Sequence, residues 1–436
     1  MPNKSEESCG QVLVVGTTAD YIDIIRRRFP NQVVFLTDAL ERARATEPCP
    51  PPPTELLGNL ACREETLERL REHLGRWRIN LSGITCFDCE SLTLSAQIAG
   101  ALSLPCVSAE AVLTCRNKYA CKKIWHDAGL PCPDAQLVRN VSEAESFLNR
   151  IKRPAVLKPL AGSGSEYVFP CSNSHECRAA FYTLESKLSE LHDNPKKPLY
   201  SRDRSEAILQ HTYVMEEFIQ GVEYSSDFVL DGDRLEIVRI ARKIPAHGLS
   251  FGTTLAYVVP SNLPPPLDAG RFRCQLRDAA RSLGLKRAMC MLDFIVRDGE
   301  AIMIEMTPRP GGDCLPPLLL KSAGVDILGF ALDFAEGRFP AIPEPSRWKL
   351  LVGLRLFARA PGIIAKLDTK ALQQHKRVIE CHIKRQAGDR VILPPEDYDS
   401  RLLGHVIFEP SAPDNIEKEC AEIAGLLEYS GFFGLS

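Results

Sequence analysis

The sequence predicts an α/β plus α+β fold, with a doubly wound parallel α/β domain first, antiparallel sheets next and a small β-rich domain last. Two observations support this prediction. Apolar strand-like runs alternate with helical patterns at the start of the chain, whereas strand follows strand beyond about residue 210. The 436 residues are 44% hydrophobic and 25% charged, which is typical of globular proteins with several domains.

Residues 1–113 are predicted to form the parallel α/β domain. Gln11–Gly16 is an apolar strand followed by a helical pattern, and a second run covers residues 33–36. A proline-rich loop at Glu47–Pro53 separates these from a third strand at Gly83–Cys86 and its helix. The first turn lacks the GxGxxG pattern, so an NAD-linked oxidoreductase is a weak alternative.

Residues 114–345 are predicted to form the central unit and residues 346–436 the C-terminal one. A helix is expected over Lys118–Gly129 and a polar loop over His192–Ser205. Strands are predicted at Ala155–Lys158, Val214–Phe218, Tyr224–Leu230, Leu235–Ala241, Leu255–Val259, Met289–Arg297, Ala301–Met306, Leu351–Phe357, Val378–Ile383, Val391–Leu393 and Leu403–Phe408. The central strands after residue 213 are expected to form an antiparallel set.

Charge and composition narrow the class of partner. The chain has 53 basic and 56 acidic side chains, a formal net charge of −3, and no segment with a basic excess. We therefore expect small-molecule partners, with no nucleic acid and no membrane. The first ten residues hold no apolar segment and no run approaches the ~20 apolar residues of a spanning helix, so a cytoplasmic location is expected.

The 16 cysteines are scattered and do not follow the spacing of a disulfide framework. Cys86 and Cys89 form a CxxC pair, but a second ligand pair for zinc is missing at a suitable spacing. Ordinary core cysteines are the favoured interpretation, and a redox or metal role stays open.

The first motif is a lysine at a strand end, Lys158, followed by the loop Gly162, Ser163, Gly164 and Ser165. Bare backbone N–H groups in such a loop approach phosphate oxygens, while the ammonium adds a point charge. The spacing is not that of a P-loop. A flexible hairpin turn explains this segment equally well.

The second motif is Glu216, Glu217, Phe218 and Ile219 at a strand exit, with Glu223 beyond it. Such a segment presents backbone groups to a purine edge, sandwiches the ring between apolar side chains and lets Glu223 accept from ribose hydroxyls. On this segment alone, an acidic solvent-facing strand end is the favoured alternative.

The third motif places Asp293 and Glu305 inside apolar strands on either side of the Arg297–Gly299 turn. A carboxylate there needs a cation nearby. Strand parity puts the two acids on opposite faces if the turn has two residues and on one face, as diagonal neighbours, if it has three. We predict three, and hence a Mg²⁺–phosphate site with Thr307 and Arg309 beyond it. The alternative is a structural ion pair in which Arg309 neutralises both acids.

A Pro-Gly-Gly-Asp segment directly follows Arg309. Backbone N–H groups at Gly311 and Gly312 are suitable donors to a developing oxyanion, and Asp313 is placed to hold an amine. A turn selected only for its backbone conformation is the alternative.

An ordered set of lysines and acids resembles the ATP-grasp superfamily of ligases. The set is Lys118, Lys158, Glu216, Glu217, Phe218, Ile219, Glu223, Lys243, Asp293, Glu305, Thr307 and Arg309. Within the superfamily, Arg309–Asp313 and Val259–Pro264 are most similar to the L-amino acid ligases and carnosine-synthase-like enzymes. The resemblance implies ATP-grasp central domains with a mobile lid subdomain at about residues 133–215. Its Gly162–Ser165 loop is expected to close over the ATP phosphates.

The resemblance also implies cofactors and roles. ATP is expected to contact Lys118, Lys158, Gly162, Ser163, Gly164, Ser165, Glu216, Glu217, Phe218, Ile219, Glu223 and Lys243. Asp293 and Glu305, with Thr307, are expected to hold two Mg²⁺ ions, for which Mn²⁺ substitutes. The implied reaction is phosphoryl transfer to a carboxylate, giving an acyl phosphate that an amine attacks. Arg309 and the Gly312 N–H are expected to stabilise the tetrahedral intermediate.

The implied partners are a small-molecule carboxylate and an amine, and a homodimer is expected by analogy. The substrate contacts predicted from the same resemblance are His247, Phe251, Arg309, Gly311 and Asp313. Two alternatives stay open. One is a carboxylase that acts through carboxyphosphate, although Pro310–Gly312 replaces the Val-Glu-His of biotin carboxylase. The other is a non-catalytic ATP-binding regulatory protein.

Three positions depart from the family pattern. Thr307 stands where the family usually has Asn, and Asn117 stands where an Asp often precedes the first lysine. Gly252–Thr254 lacks the acidic residue that related dipeptide-forming enzymes place there to bind the substrate amino group.

Overall fold

The computed structural model describes residues 10–192, 211–339 and 341–432. The predicted polar loop over residues 192–205 therefore lies almost wholly outside the described residues. Within these ranges, no helix combines the length and the apolar character that crossing a membrane requires.

The N-terminal unit is a parallel sheet in the order β3-β2-β1-β4, as predicted for this part of the chain. Its strands are β1 (Gln11–Val15), β2 (Val33–Asp38), β3 (Glu55–Gly58) and β4 (Leu81–Thr85). Its helices are α1 (Ala19–Arg28), α2 (Ala39–Arg44), α3 (Arg63–Trp77) and α4 (Leu92–Leu102). The sequence pattern missed β3, because this short edge strand is largely unburied and follows a run of prolines.

Helices α5 (Ala109–Arg116) and α6 (Lys118–Asp127) lead into a second sheet, which is antiparallel in the order β5-β8-β6-β7. Its strands are β5 (Ala135–Val138), β6 (Ala155–Pro159), β7 (Phe169–Cys171) and β8 (Tyr213–Glu217). Helices α7 (Val141–Ile151) and α8 (Ser174–His192) share a core with it. The predicted grouping of residues 214–218 with the later antiparallel strands is wrong, since β8 pairs with β5 and β6.

The third sheet has eight strands in the order β13-β12-β9-β10-β11-β14-β18-β16. The strands are β9 (Val222–Asp231), β10 (Arg234–Pro245), β11 (Thr254–Val259), β12 (Arg287–Arg297), β13 (Glu300–Thr307), β14 (Leu351–Phe357), β16 (Val378–Ile383) and β18 (Leu402–Phe408). The helices of this part are α9 (Ala269–Ser282), α10 (Leu315–Ala323) and α11 (Ile327–Ala335). The largest core cluster joins α5, α6 and α9 to the sheet through Trp125, Phe272 and Phe294.

The C-terminal segment completes this large sheet with β14, β16 and β18 rather than forming a separate appendage. A small sheet follows in the order β17-β15-β19. Its strands are β15 (Gly362–Asp368), β17 (Arg390–Val391) and β19 (Glu428–Phe432), accompanied by α12 (Lys370–Gln374) and α13 (Ile416–Ala424). The domain limits 1–113, 114–345 and 346–436 stay predictions, because α5 crosses the first limit and the large sheet crosses the second.

Candidate active site

The turn between β12 and β13 differs from the predicted one. Arg297 pairs with Glu300, so the loop contains only Asp298 and Gly299. Both residues have positive φ, 53° and 76°, as the tight hairpin turn that twists with its strands requires. The predicted three-residue turn is therefore wrong, and regular pairing from this turn would separate the two acids onto opposite faces.

A β-bulge restores the shared face. Phe294 pairs with Met303, but the next pair is Asp293 with Glu305, which leaves Ile304 as the extra residue. The two acids are thus directly opposite each other rather than diagonal neighbours. Cβ atoms of such a pair lie about 5 Å apart, close enough for both carboxylates to share a cation.

Lys118 reaches this pair from the start of α6. The Asn117 side chain caps the helix by accepting from the Ala120 N–H at 3.0 Å, a role that Asn and Asp fill equally well. The Lys118 Nζ lies 3.3 Å from Glu305 Oε1 and donates to the Gly162 carbonyl at 3.1 Å. Burial alone would raise the pKa of Glu305, but the lysines around it hold that pKa below its ordinary value.

Lys158 and Glu216 are brought together by the β6–β8 register, in which Val156 pairs with Glu216. The Lys158 Nζ lies 2.7 Å from Glu216 Oε2, and the Lys122 Nζ of α6 lies 3.5 Å from Glu216 Oε1. Burial lowers the pKa of Lys158, and Glu216 only partly offsets this effect. Glu216 is therefore a buried ion-pair centre in this structure rather than a solvent-facing strand end.

Lys243 serves the second acid. Lys243 lies on β10. Its ammonium donates a hydrogen bond to Glu223 of β9 and lies 3.2 Å from Asp293 Oδ2. Burial opposes the charged form, yet Asp293 and Glu223 raise the pKa of Lys243 above its ordinary value. Each of the two acids thus has its own lysine partner.

The charges in this cluster balance. Its lysines are Lys118, Lys122, Lys158 and Lys243, and its acids are Glu216, Glu223, Asp293 and Glu305. Four positive and four negative groups neutralise one another, and the four lysines and Glu216 are buried. The arrangement is a compact, self-compensated ion cluster between the second and third sheets.

The Gly/Ser loop closes over the cluster. Ser163 Oγ donates to Glu90 Oε1 at 3.2 Å, and Ser165 Oγ donates to the Gly252 carbonyl at 3.0 Å. Gly164 adopts a φ of 65°, which glycine tolerates without strain. A cavity of about 10 Å³ lies between Gly162 and Glu305 and is too small to hold a nucleotide.

Arg309 does not neutralise the two acids, so the structural ion-pair alternative is wrong. Its Nε and Nη2 donate to the Cys89 Sγ at 3.1 and 3.0 Å, and its Nη1 donates to the Pro310 carbonyl at 2.8 Å. Arg116 donates to the Cys89 carbonyl. Cys86 and Cys89 are free thiols, and burial raises the pKa of both, as expected for unreactive cysteines.

The loop after Arg309 rests on a buried network. The Gly311 N–H donates to Asp227 Oδ1 at 3.0 Å, and Asp227 is held in a fork by Arg239 at 2.8 and 3.1 Å. The Gly311 N–H is therefore committed to the protein. A Cβ at Gly312 would meet nothing closer than 3.7 Å, so this residue faces open space beside Arg309.

Asp313, the predicted amine ligand, already has a partner. Its Oδ2 lies 2.5 Å from the Arg355 Nε of β14, and the Tyr21 hydroxyl donates to its carbonyl at 3.4 Å. Asp313 has a φ of 61°, an unusual backbone conformation for a residue other than glycine. Arg355 fixes the side chain against the large sheet.

The residues predicted at adenine separate into two groups. Glu217 pairs with Arg153 at 2.8 Å and with Arg297 of β12 at 3.2 Å. The Phe218 ring lies 5.9 Å from the Phe251 ring, measured between centroids, so the predicted adenine and substrate regions touch. Ile219 is buried, whereas His247 is exposed and has no place in the cluster.

Sequence reasoning missed several residues of this region: Lys122, Glu90, Asp227, Arg239 and Arg355. Lys122 lies one helical turn after Lys118, which predicts a shared helix face. Asp227 is an acid inside an apolar strand, the signal that identified Asp293. Glu90 and Arg355 gave no local signal.

The donor set fits Mg²⁺. Asp293 and Glu305 supply carboxylates from paired positions, and Thr307 adds a hydroxyl on the same strand as Glu305. Mg²⁺ is usually held by one or two carboxylates plus phosphates and water. Among the described residues, no group of three or more His, Cys, Asp or Glu side chains could hold a metal ion. Two carboxylates and a hydroxyl leave coordination positions that phosphate oxygens would fill.

Residues 151–317 match the family model for the ATP-grasp domain. Carnosine synthase 1 from Homo sapiens is 28% identical over 298 residues, which are 65% of this chain and 34% of that protein. A D-alanine–D-alanine ligase from Cupriavidus necator is 22% identical over 242 residues, 53% of this chain and 67% of that protein. The chain spans about a third of the length of the carnosine synthases it matches.

The crystal structure of an L-amino acid ligase from Bacillus licheniformis superposes with a TM-score of 0.80. The match covers 98% of this chain and 100% of that one at 18% identity, so it shows the fold. The family match and the structural match therefore indicate the same fold for the central part of the chain. Residues 151–317 therefore form an ATP-grasp domain, and the chain as a whole shares the fold of the L-amino acid ligase.

Proposed function

We propose that this protein is an ATP-dependent carboxylate–amine ligase that forms an amide or peptide bond through an acyl phosphate. ADP and inorganic phosphate leave as products. The observation that carries this proposal is the convergence of buried lysines on two carboxylates that face each other across β12 and β13. Catalysis of phosphoryl transfer depends mainly on positioned positive charge, which this cluster supplies.

The self-compensated cluster suggests how nucleotide binds. Lys118 and Lys243 would pass from Glu305 and Asp293 to phosphate oxygens, which frees both carboxylates as metal ligands. Bound Mg²⁺ neutralises charge on the phosphates. We further propose two ions, held by Asp293, Glu305 and Thr307, and replaceable by Mn²⁺. The buried cluster keeps its charge balance throughout this exchange.

The bond-forming end would lie between Arg309, the Gly312 N–H and the loop at residues 88–91. Arg309 Nη1 lies 3.7 Å from the position of a Cβ on Gly312, so the guanidinium and the Gly312 N–H are the proposed donors to an oxyanion. Glu90 reaches the Gly/Ser loop from the N-terminal unit and supplies an acidic group that Gly252–Thr254 lacks. An ammonium group on the substrate therefore has an anionic partner in the site.

The proposal is tested by ADP release from MgATP with single amino acids, amino-acid pairs and bicarbonate, followed by mass spectrometry of active mixtures. We expect release that requires one carboxylate and one amine, with a product mass equal to their sum less water. Release with bicarbonate alone would indicate the carboxylase alternative. ATP binding without release in any mixture would indicate a non-catalytic ATP-binding protein.

We also propose that the enzyme acts on free small molecules in the cytoplasm, as the composition predicts. Cell fractionation tests the location. Light scattering of the purified protein tests the homodimer expected by analogy.

A further inference from the structure

Lys122 is the most buried lysine of the ion cluster, although nothing in the ATP-grasp resemblance assigns it a role. Its exposed fraction is 2%, against 8% for Lys118, 7% for Lys158 and 9% for Lys243. A buried ammonium is costly unless its partners compensate for lost hydration. The partners of Lys122 therefore indicate what it does.

Lys122 has two polar partners. Its ammonium donates to the carbonyl of Ile304 and lies 3.5 Å from Glu216 Oε1. The aromatic ring of Trp125 covers the same ammonium, 5.5 Å from the ring centroid. Among the described residues, no hydrogen bond or ion pair joins Lys122 to Asp293 or Glu305. Lys122 therefore contacts neither acid directly, and its contacts reach the site through other groups.

The Ile304 carbonyl belongs to the bulge that sets the geometry of the acids. With the two-residue turn at Asp298 and Gly299, regular pairing would place Ile304 opposite Asp293 and turn Glu305 to the other face. A bulge residue falls outside the regular ladder, and its backbone groups need other partners. The ammonium of Lys122 supplies that partner.

We propose that Lys122 is a positioning residue, which fixes the Ile304 bulge and so holds Glu305 opposite Asp293 for the metal. Through Glu216 it also ties this hairpin to Lys158 of the second sheet. The inference rests on the proposed function, since it assumes that the two acids bind a divalent metal together with nucleotide.

The test uses Lys122→Met, which keeps the length of the side chain and removes its charge. Glu216 retains Lys158, so no buried carboxylate is left unpaired. Lys123→Met is the matched control, because Lys123 is an exposed neighbour on the same helix and pairs with the exposed Asp127. Mn²⁺ binding is followed by electron paramagnetic resonance with a non-hydrolysable ATP analogue. Metal-free binding of the analogue is followed by calorimetry, and folding by circular dichroism.

We expect Lys122→Met to weaken Mn²⁺ binding at least tenfold, with a change below threefold in metal-free nucleotide binding and no change in the control. A second variant combines Lys122→Met with deletion of Ile304. Met303 and Glu305 then become neighbours, and regular alternation alone places Glu305 opposite Asp293. This deletion should restore Mn²⁺ binding to Lys122→Met.

Several results would overturn the inference. They are wild-type Mn²⁺ binding in folded Lys122→Met, an equal loss of metal and nucleotide binding, and failure of the deletion to restore Mn²⁺ binding. Failure of both variants to fold would also overturn it, because Lys122 would then support the whole domain. Failure of the wild-type protein to bind Mn²⁺ with the analogue would instead contradict the proposed function.

Discussion

The candidate site has two sides that are built differently. The phosphate side, Lys118, Lys158, Lys243, Asp293 and Glu305, stands on strands and a helix start whose backbone register places each side chain. The acceptor side consists of the loops at 86–91, 246–254 and 309–313, which are fixed by side-chain contacts across long stretches of sequence. Substitutions on the phosphate side should therefore abolish activity and leave the fold intact. Changes on the acceptor side should alter the fold and the chemistry together.

The largest effect is expected on the phosphate side. Glu305→Gln should lower ATP turnover by at least about a thousandfold, because one carboxylate for the metal is lost where transition-state charge develops. The thermal unfolding midpoint should stay near that of the wild type. Glu300→Gln, at the exposed end of the same hairpin, is the control and should keep full turnover. Retained turnover in Glu305→Gln would contradict the metal assignment.

A smaller loss is expected for Arg309→Lys on the acceptor side. Lysine lacks the fork that reaches both Cys89 and the Pro310 carbonyl, so kcat should fall by about a hundredfold. The KM for ATP should change little, because Arg309 contacts no residue of the phosphate side in the described structure. Steady-state kinetics measures both quantities. A higher KM for ATP with an unchanged kcat would move Arg309 to the phosphate side.

Stability should distinguish the two glycines of the acceptor loop. A Cβ at Gly311 would lie 2.6 Å from Arg239 Nη2 and 2.7 Å from Leu315 Cδ1. Gly311→Ala should therefore lower the free energy of unfolding by about 1–3 kcal/mol, as overpacking of a buried position does. Gly312→Ala should change it by under about 1 kcal/mol. Urea denaturation measures both, and equal losses would mean that the buried network does not hold this loop.

The smallest effect concerns Asp88 and pH. Burial, and next the charge of Glu90, raise the pKa of Asp88 from its ordinary 3.8 to about 6. At this residue the folded protein then binds more protons than the unfolded chain between about pH 4 and 6, so Asp88 makes stability fall as pH rises through that window. Asp88→Asn should flatten this part of the stability curve. Identical slopes in thermal melts of both proteins from pH 4 to 7 would contradict the shift.

Part of the proposed phosphate side carries local signals in the sequence. A lysine before a Gly/Ser loop can be recognised from the few residues around it, and so can an acid inside an apolar strand. The bulge at Ile304 gives no such signal, so the shared face of Asp293 and Glu305 was predicted from the wrong turn. The fold class followed from periodicity, apart from short strands such as β3.

The acceptor side could not be predicted to the same depth. Arg309 and Cys89 are separated by 220 positions, and nothing near either residue indicates the other. The sequence around Asp313 does not reveal its ion pair with Arg355. Arg355 lies on β14, and the pairing of β14 with β11 places it next to the loop that contains Asp313. Contacts of this kind depend on how distant segments pack, and the residue pattern near each partner does not reveal that packing.

The central claim, ligation through an acyl phosphate, is tested most directly by oxygen transfer. The carboxylate substrate found in the ADP-release screen is labelled with ¹⁸O and converted with its amine and MgATP. We expect one labelled oxygen in the released inorganic phosphate for each amide formed, because the acyl phosphate breaks at its acyl carbon. Amide formation with unlabelled phosphate would contradict the proposed reaction.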